Sequence, residues 1–331
     1  MASQPILEID NLKTHFFTNR GVVTAVDGSS WKINAGDSLG LVGESGSGKS
    51  VSALSIMQLV PKPGKIIDGK ILFNGDNLLD KNLTEMRKIR GAKISMSFQD
   101  PMTYLNPAHQ VGDQIAEAIM LHSDVSKSDA IEQAAKTMEL VQIPVEGRVK
   151  DFPHQFSGGM RQRLLLAIAL SCSPDILIAD EPTTSLDVLV QAEILQLLFE
   201  LKKKLNMTLI LITHDLGIAA QLCNKIAIMY AGKMVEFGKS KDIFSNPRHP
   251  YTMGLLNSVP RVDSIKSRLT AIPGTIPDMV SPPSGCRFHP RCTYSVKDCE
   301  ISDTPMVNIV RDRLSACIRD KEIHSKKSGG K

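Results

Sequence analysis

Residues 38–50 read Ser38-Leu39-Gly40-Leu41-Val42-Gly43-Glu44-Ser45-Gly46-Ser47-Gly48-Lys49-Ser50. A short apolar strand runs straight into a segment of the form G-x-x-x-x-G-K-[ST]. Residues 51–59 then have helical character, stopped by Pro61 and Pro63. Strand, glycine-rich loop and helix in that order cradle phosphate. Glycines let backbone N–H groups turn inward around anionic oxygens. The helix that follows presents its positive end to the same anion. Lys49 has the reach for β- and γ-phosphates, and the Ser50 hydroxyl suits Mg²⁺. Gly43, Glu44, Ser45, Gly46, Ser47, Gly48, Lys49, Ser50 and Val51 are therefore the candidate nucleotide-binding residues. Chance alone yields this pattern in roughly one chain per hundred of this length.

A second segment is acidic. Asp175-Ile176-Leu177-Ile178-Ala179-Asp180-Glu181-Pro182 reads as an apolar strand that ends in two carboxylates and is stopped by proline. Ligands of α/β sheets bind at the carboxyl ends of strands. Asp180 is thus placed to hold Mg²⁺, directly or through water, and Glu181 to polarise an attacking water. Two acids at a strand end also make an ordinary solvated turn. The phosphate-binding pattern in the same chain favours the nucleotide reading.

Around these anchors the pattern alternates. Residues 6–12 and 22–33 alternate apolar and polar, as half-buried strands do, with Asn19-Arg20-Gly21 as the turn. Residues 66–73 and 94–98 are further strand candidates. From 101 to 172 the spacing is helical, at 111–121, 127–140 and 160–170, as in an all-helical insertion. Beyond it, buried-strand runs at 176–179, 208–212 and 226–229 are separated by helices at 188–204 and 216–222. That alternation predicts a parallel α/β sheet.

A length of 331 residues suggests about two domains. With 42% hydrophobic and 22% charged residues, the chain is not disordered, collagen-like or a coiled coil. Its longest apolar run, residues 164–170, falls far short of the ~18 residues of a membrane span. Residues 1–10 lack the basic-then-apolar pattern of a secretory signal, so a cytoplasmic protein is expected. The net charge of +4 is too balanced to argue for nucleic acid. The charge is uneven, however. Residues 261–331 carry 13 Lys/Arg against 8 Asp/Glu, a net of +5, and four of the six cysteines. We place a boundary near Pro260, giving regions 1–260 and 261–331. The basic charge of the second reads as that of a solvated tail, unstructured from Lys326 to Lys331.

Between the two anchors stands Phe156-Ser157-Gly158-Gly159-Met160-Arg161-Gln162-Arg163. Three more marks occur in order: Ser97-Phe98-Gln99-Asp100-Pro101, Ser185-Leu186-Asp187 and Ile212-Thr213-His214-Asp215. Over roughly residues 5–260 the chain resembles the ATPases of ABC transporters. Phe156 and Met160 depart from the common L-S-G-G-Q signature, and this form is similar to that of peptide-importer ATPases. The resemblance implies an α/β, ABC-type P-loop nucleotide-binding domain. It would have an antiparallel β subdomain, a helical subdomain at about 101–172 and a small Cys-rich C-terminal extension. It also implies roles. Gln99 would sense Mg²⁺ or the attacking water, and His214 would bond the γ-phosphate. Ser157, Gly158, Gly159 and Asp187 would close on ATP held by a partner subunit. An aromatic of the first hairpin, Phe17 in preference to Phe16, would stack on adenine.

Cys286, Cys292, Cys299 and Cys317 are spaced C-x5-C-x6-C-x17-C. Disulfides are not expected in a cytoplasmic chain. Four thiolates suffice for a [4Fe–4S] cluster or structural Zn²⁺, and free thiols are the third reading. The lack of a C-x-x-C knuckle weighs against zinc. Cys286-Arg287-Phe288-His289-Pro290-Arg291-Cys292 resembles the extension of oligopeptide/dipeptide transporter ATPases, some of which carry a [4Fe–4S] cluster on such cysteines. The resemblance thus implies a cluster on these four. Asn246-Pro247-Arg248-His249-Pro250-Tyr251-Thr252 reads as a turn and helix start without phosphate chemistry. Cys172 and Cys223 read as inert core residues.

The function implied is that of an ATP-hydrolysing, energy-coupling subunit of a di- or oligopeptide importer at the cytoplasmic face of the membrane. Its partners would be a second, related ABC ATPase, two transmembrane permease subunits and, indirectly, an extracytoplasmic peptide-binding protein. Nucleic acid is not among them, since cassettes that act on it carry coiled-coil arms or tandem copies. A subunit of a metabolic complex, such as one for phosphonate breakdown, is the other class considered.

Overall fold

A computed structural model describes residues 4–184, 186–258, 271–302, 304–310 and 312–328. Among them the strands, numbered in chain order, are β1 (Leu7–Thr18), β2 (Gly21–Ile33), β3 (Ser38–Val42), β4 (Gly64–Phe73), β5 (Asp76–Asn77) and β6 (Ile94–Ser97). They continue with β7 (Ile176–Asp180), β8 (Thr208–Thr213), β9 (Lys225–Tyr230), β10 (Lys233–Lys239), β11 (Val307–Val310) and β12 (Arg313–Ser315). The chain divides into two compact units. One comprises residues 1–33, 38–79 and 213–331, the other residues 34–37 and 80–212.

In the first unit, alternation in the opening residues makes an antiparallel sheet in the order β2-β1-β4-β5. Leu7 faces Ile33 on one side and Phe73 on the other. β3 lies parallel to β9, which continues as a hairpin into β10. All five residues of β3 are buried, as expected for a strand covered on both faces. Its core joins Val42, Ile226, Ile228 and Tyr230 to Tyr251 and Phe288. Tyr230 and Tyr251 are 4.6 Å apart at their centroids, and Phe288 meets Tyr230 edge-on at 5.1 Å. Burying Phe288 contributes about 1.5–3 kcal/mol.

The second unit holds β6, β7 and β8 side by side in parallel. Its helices include Val111–Met120, Lys127–Leu140, Gly158–Leu170 and Val188–Lys204. Val111, Ile115 and Ile119 form one buried stripe, and Ala130, Ala134 and Met138 another, at the four-residue spacing of a helix face. Side-chain oxygens cap the last three of these helices. Ser126 accepts the N–H of Asp129, Ser157 that of Met160 and Asp187 that of Val190.

The C-terminal segment departs from the expected tail. β12 pairs antiparallel with β10, setting Glu236 opposite Ser315, and β11 pairs with β12. Three of its arginines, Arg287, Arg291 and Arg313, are buried. Each meets an acid from the first 260 residues: Asp27, Glu44 and Glu236 respectively. The solvated-tail reading is thus corrected, because a guanidinium paired in the interior looks the same in a composition as one in solvent. Helix Asp320–Ser328 also runs into the stretch expected to be unstructured. The boundary expected near Pro260 lies outside the described residues.

Glu236 is fully buried. Its carboxylate accepts from Arg313 Nη2 at 3.0 Å and from the backbone N–H groups of Arg248 and His249 at 2.9 and 2.8 Å. Arg313→Met leaves that carboxylate buried without its cation, which typically costs about 3–5 kcal/mol. The urea-unfolding midpoint of the full chain is expected to fall accordingly. An unchanged midpoint would show that the pair does not hold the extension.

Candidate functional site

The glycine-rich segment forms the turn its sequence calls for. β3 ends at Val42, and helix Lys49–Ile56 begins two residues before the expected start, with Gly48 at its cap. Gly48 has φ +102°, and a Cβ there would stand 2.3 Å from the Ala25 carbonyl oxygen. A Cβ on Gly43 would stand 2.2 Å from the Met229 carbonyl oxygen. No side chain fits either place, so the loop backbone packs directly on its neighbours. Lys49 is buried, and its Nζ donates to the Gly43 and Glu44 carbonyls at 2.8 and 3.0 Å. Ser45 and Gly46 are exposed, Ser50 and Val51 are half-buried, and the buried Ser47 hydroxyl has no partner among the described residues. The Glu44 N–H donates to Tyr251 Oη at 3.0 Å.

Two other site residues belong to this unit. Phe17 is exposed near the end of β1 with Lys65 Nζ 5.9 Å from its ring centre, whereas Phe16 is half-buried. His214 is exposed directly after β8. Asp215, which follows it, caps helix Leu216–Leu222 through the N–H groups of Gly217 and Ile218.

The second unit gathers the remaining residues. Asp180 ends β7 and is buried. Glu181 has φ +44°, a left-handed conformation that turns the chain sharply off the strand. Its Oε2 accepts from Thr184 Oγ1 at 2.8 Å and from Gln99 Nε2 at 3.1 Å. The geometry thus joins Gln99 to Glu181 across 82 positions of sequence and adds Thr184, which the sequence reading missed. Gln99, Gly158, Arg161, Thr184 and Leu186 line one groove of about 360 Å³. Ser157 is exposed at the start of its helix, and its hydroxyl accepts the Met160 N–H at 3.4 Å. Gly159 stands where a Cβ would be 2.5 Å from Val190 Cγ1. Asp187 is exposed at the head of helix Val188–Lys204, and Ser185 lies outside the described residues.

Cys286, Cys292, Cys299 and Cys317 all line one small cavity, together with His249 and Phe288. The Cys286 N–H donates to the Cys299 carbonyl at 2.9 Å. Burial pushes the Cys286 thiol up, that of Cys292 to about 11 and that of Cys317 to about 12. These three are neutral thiols at physiological pH. As placed, no group of three or more His, Cys, Asp or Glu among the described residues is close enough to hold a metal ion. The cavity measures about 20 Å³, close to the room one water needs, about 10–15 Å³. The donor set suits a cluster, but the space does not. Cys172 and Cys223 stand apart, half-buried and buried.

Sequence reading also missed Tyr251. His249 is buried and held neutral, with its pKa pushed down to about 3 by burial. Its Nδ1 accepts the Tyr251 N–H at 3.1 Å and caps helix Pro250–Asn257. The turn-and-helix reading of residues 246–252 agrees with this, but nothing local showed that Tyr251 reaches the nucleotide loop.

Comparison with known proteins adds the family. The model for ABC transporters matches residues 26–184, and that for the C-terminal region of oligopeptide/dipeptide transporters matches residues 235–299. The chain is 52% identical over 299 residues to the dipeptide transport ATP-binding protein DppD of Bacillus subtilis, covering 90% of this chain and 89% of that one. It is 46% identical over 325 residues to the oligopeptide transport ATP-binding protein OppD of Salmonella typhimurium, covering 97% and 96%. Among solved structures, the dimeric post-hydrolysis state of the ATP-binding cassette MJ0796 bound to ADP and Pi matches with a TM-score of 0.64 and 25% identity. That match covers 71% of this chain and 98% of that one. The α/β fold is thus an ABC-type nucleotide-binding fold with an antiparallel sheet and a C-terminal extension. Relatives this similar over nearly their whole length leave one conclusion: the chain belongs to the ATP-binding proteins of ABC transporters, in the oligopeptide and dipeptide importer group.

Proposed function

We propose that this chain is the ATP-hydrolysing, energy-coupling subunit of a di- or oligopeptide importer. The observation that carries the reading is its match to DppD over about nine-tenths of each chain. Among the described residues no helix is long and apolar enough to cross a membrane. The subunit would therefore act on two separate permease subunits, from the cytoplasmic face of the membrane, with an extracytoplasmic peptide-binding protein upstream. The stretch from Gln99 into residues 101–172 supplies the docking surface, and the exposure of Met102, Tyr104 and Leu121 there supports it. A second, related ABC ATPase completes the pair. The dimeric state of the MJ0796 cassette supports that arrangement.

The roles of the residues follow from their chemistry. ATP phosphates lie against the backbone N–H groups of residues 43–50, with Lys49 on the β- and γ-phosphates and Val51 in the first helical turn. Phe17, the exposed member of its pair, stacks on adenine. Ser50, Gln99 and Asp180 offer hydroxyl, amide and carboxylate oxygens, a donor set suited to Mg²⁺. Bound Mg²⁺ offsets negative charge on the transferred phosphoryl group. Glu181 orients the attacking water and takes its proton, and Thr184 and Gln99 hold its carboxylate. His214 donates to the γ-phosphate. Ser157, Gly158, Gly159 and Asp187 act on the nucleotide bound by the partner.

For the extension, the finer reading is a [4Fe–4S] cluster on Cys286, Cys292, Cys299 and Cys317. That all four line one cavity supports it, although the cavity as it stands is too small for the cluster. Binding would require the side chains to move outward and the thiols to lose protons.

Glu181→Gln keeps the shape of the side chain and removes the base. Phosphate release should fall at least ~100-fold, with ATP affinity nearly unchanged. Turnover at the wild-type rate would take Glu181 out of this role. On anaerobically purified protein, about four irons per chain are expected, falling in Cys292→Ser. One zinc, or no metal, would replace the cluster reading with a zinc module or free thiols.

A further inference from the structure

Two arginines separate Cys286 from Cys292, and the function above uses neither. Both are buried, and both reach the structure around the nucleotide loop. Arg287 donates to the Ala231 carbonyl, to Thr24 Oγ1 and to the Asp27 carboxylate. Arg291 makes two parallel bonds to Glu44, the second residue of the loop. Nη1 is 2.7 Å from Oε2 and Nη2 is 3.1 Å from Oε1. Its Nε donates to the Pro273 carbonyl at 2.8 Å, which fixes the plane of the fork.

Glu44 is consequently held at every polar group it has. Its N–H goes to Tyr251, its carbonyl accepts from Lys49, and its carboxylate is taken by Arg291. Such a residue is out of place in an anion-binding loop. A carboxylate beside bound phosphates repels them. A bidentate guanidinium both cancels that charge and fixes the peptide that carries it. The loop binds through oriented backbone N–H groups, so its orientation is part of its affinity.

We propose that Arg291 of the Cys-rich extension is a positioning residue for the nucleotide site, holding and neutralising Glu44 so that nucleotide binding and the extension are coupled. The proposal rests on the ATP-binding reading above and deepens it. Arg291 closes a tight turn, with its N–H bonded to the Phe288 carbonyl at 3.0 Å, and Cys292 follows with its N–H on the His289 carbonyl at 3.2 Å. That turn leads directly into the cysteine cavity. Coupling between two sites is reciprocal. Nucleotide must therefore steady the 286–292 segment as much as that segment steadies the loop.

The test uses the full chain, with MgADP and a slowly hydrolysed MgATP analogue as probes. Arg291→Met is expected to weaken nucleotide binding at least tenfold. Arg291→Lys, which keeps the charge and loses the fork, should lie between it and wild type. Adding Glu44→Gln to Arg291→Met should recover most of the loss, because the uncompensated charge is gone. In wild type, nucleotide should slow amide hydrogen exchange across residues 286–292 several-fold, and in Arg291→Met it should not. Wild-type affinity in a folded Arg291→Met overturns the proposal, and so does a loss that Glu44→Gln does not relieve. If Arg291→Met fails to fold, Arg291→Lys and the wild-type exchange decide. Unchanged exchange on nucleotide binding then overturns the proposal. A wild-type chain that binds no nucleotide overturns the ATP-binding reading, and this one with it.

Discussion

The nucleotide loop is closed in by backbone on its inner side. At Gly43 the carbonyl of Met229 occupies the place of a side chain, and at Gly48 the carbonyl of Ala25 does the same. The loop also hangs on a chain of main-chain bonds. Gly232 donates to Ser47 at 2.9 Å, and Asp27 donates to Gly232 at 2.8 Å. β2, the loop and the β9–β10 turn are thereby fixed to one another. The fully buried β3 sets where the loop starts. Glycine is required here to let the backbones touch, more than to give freedom. A loop with both inner contacts fixed presents its N–H groups without reorganising when an anion arrives.

The residues of the proposed chemistry are divided between the two units of the chain. The loop, Phe17 and His214 belong to one, and Gln99, Asp180, Glu181 and the Ser157–Gly159 segment to the other. Each half is ordered from within. In the first, Lys49 bonds the carbonyls of its own loop. In the second, Glu181 is turned out by a left-handed backbone and held by Thr184 and Gln99. A carboxylate that accepts from two neutral donors keeps its position and its ability to accept a third proton donor. That is what the proposed role of orienting a water demands.

Much of this was legible in the sequence, for local reasons. Helices Lys127–Leu140, Val188–Lys204 and Leu216–Leu222 fall where apolar spacing places them, and in the structure Ser126, Asp187 and Asp215 cap them. β3 and the loop after it are equally local. The failures are also physical. β10 breaks the apolar run with Glu236, which is buried only because Arg313 and two backbone N–H groups meet it. β12 is three residues long and depends on pairing with β10. Helix Leu83–Ile89 has a capping box from Asn82 and Glu85, yet buries only Met86, so no apolar face marks it in the sequence. Tyr251 and Arg291 lie more than 200 residues from the Glu44 they hold. No window along the chain contains that information.

The basic charge of the extension shows what composition conceals. Its excess of Lys and Arg over Asp and Glu suggested a solvated tail. A solvated charge is screened over about 10 Å in ordinary salt and specifies little. Arg287, Arg291 and Arg313 instead lose their water and recover it as bonds to Asp27, Glu44 and Glu236. Desolvation consumes most of the energy such pairs gain, so they add little net stability. They do add selectivity of position. A buried guanidinium fork has one acceptable orientation, and three of them, on two separate stretches of the extension, leave it one way to lie. Two of the three acids lie in the nucleotide loop or on β2, which the same main-chain bonds tie to that loop. The residues that made the segment look detached are therefore the ones that fix it to the nucleotide loop.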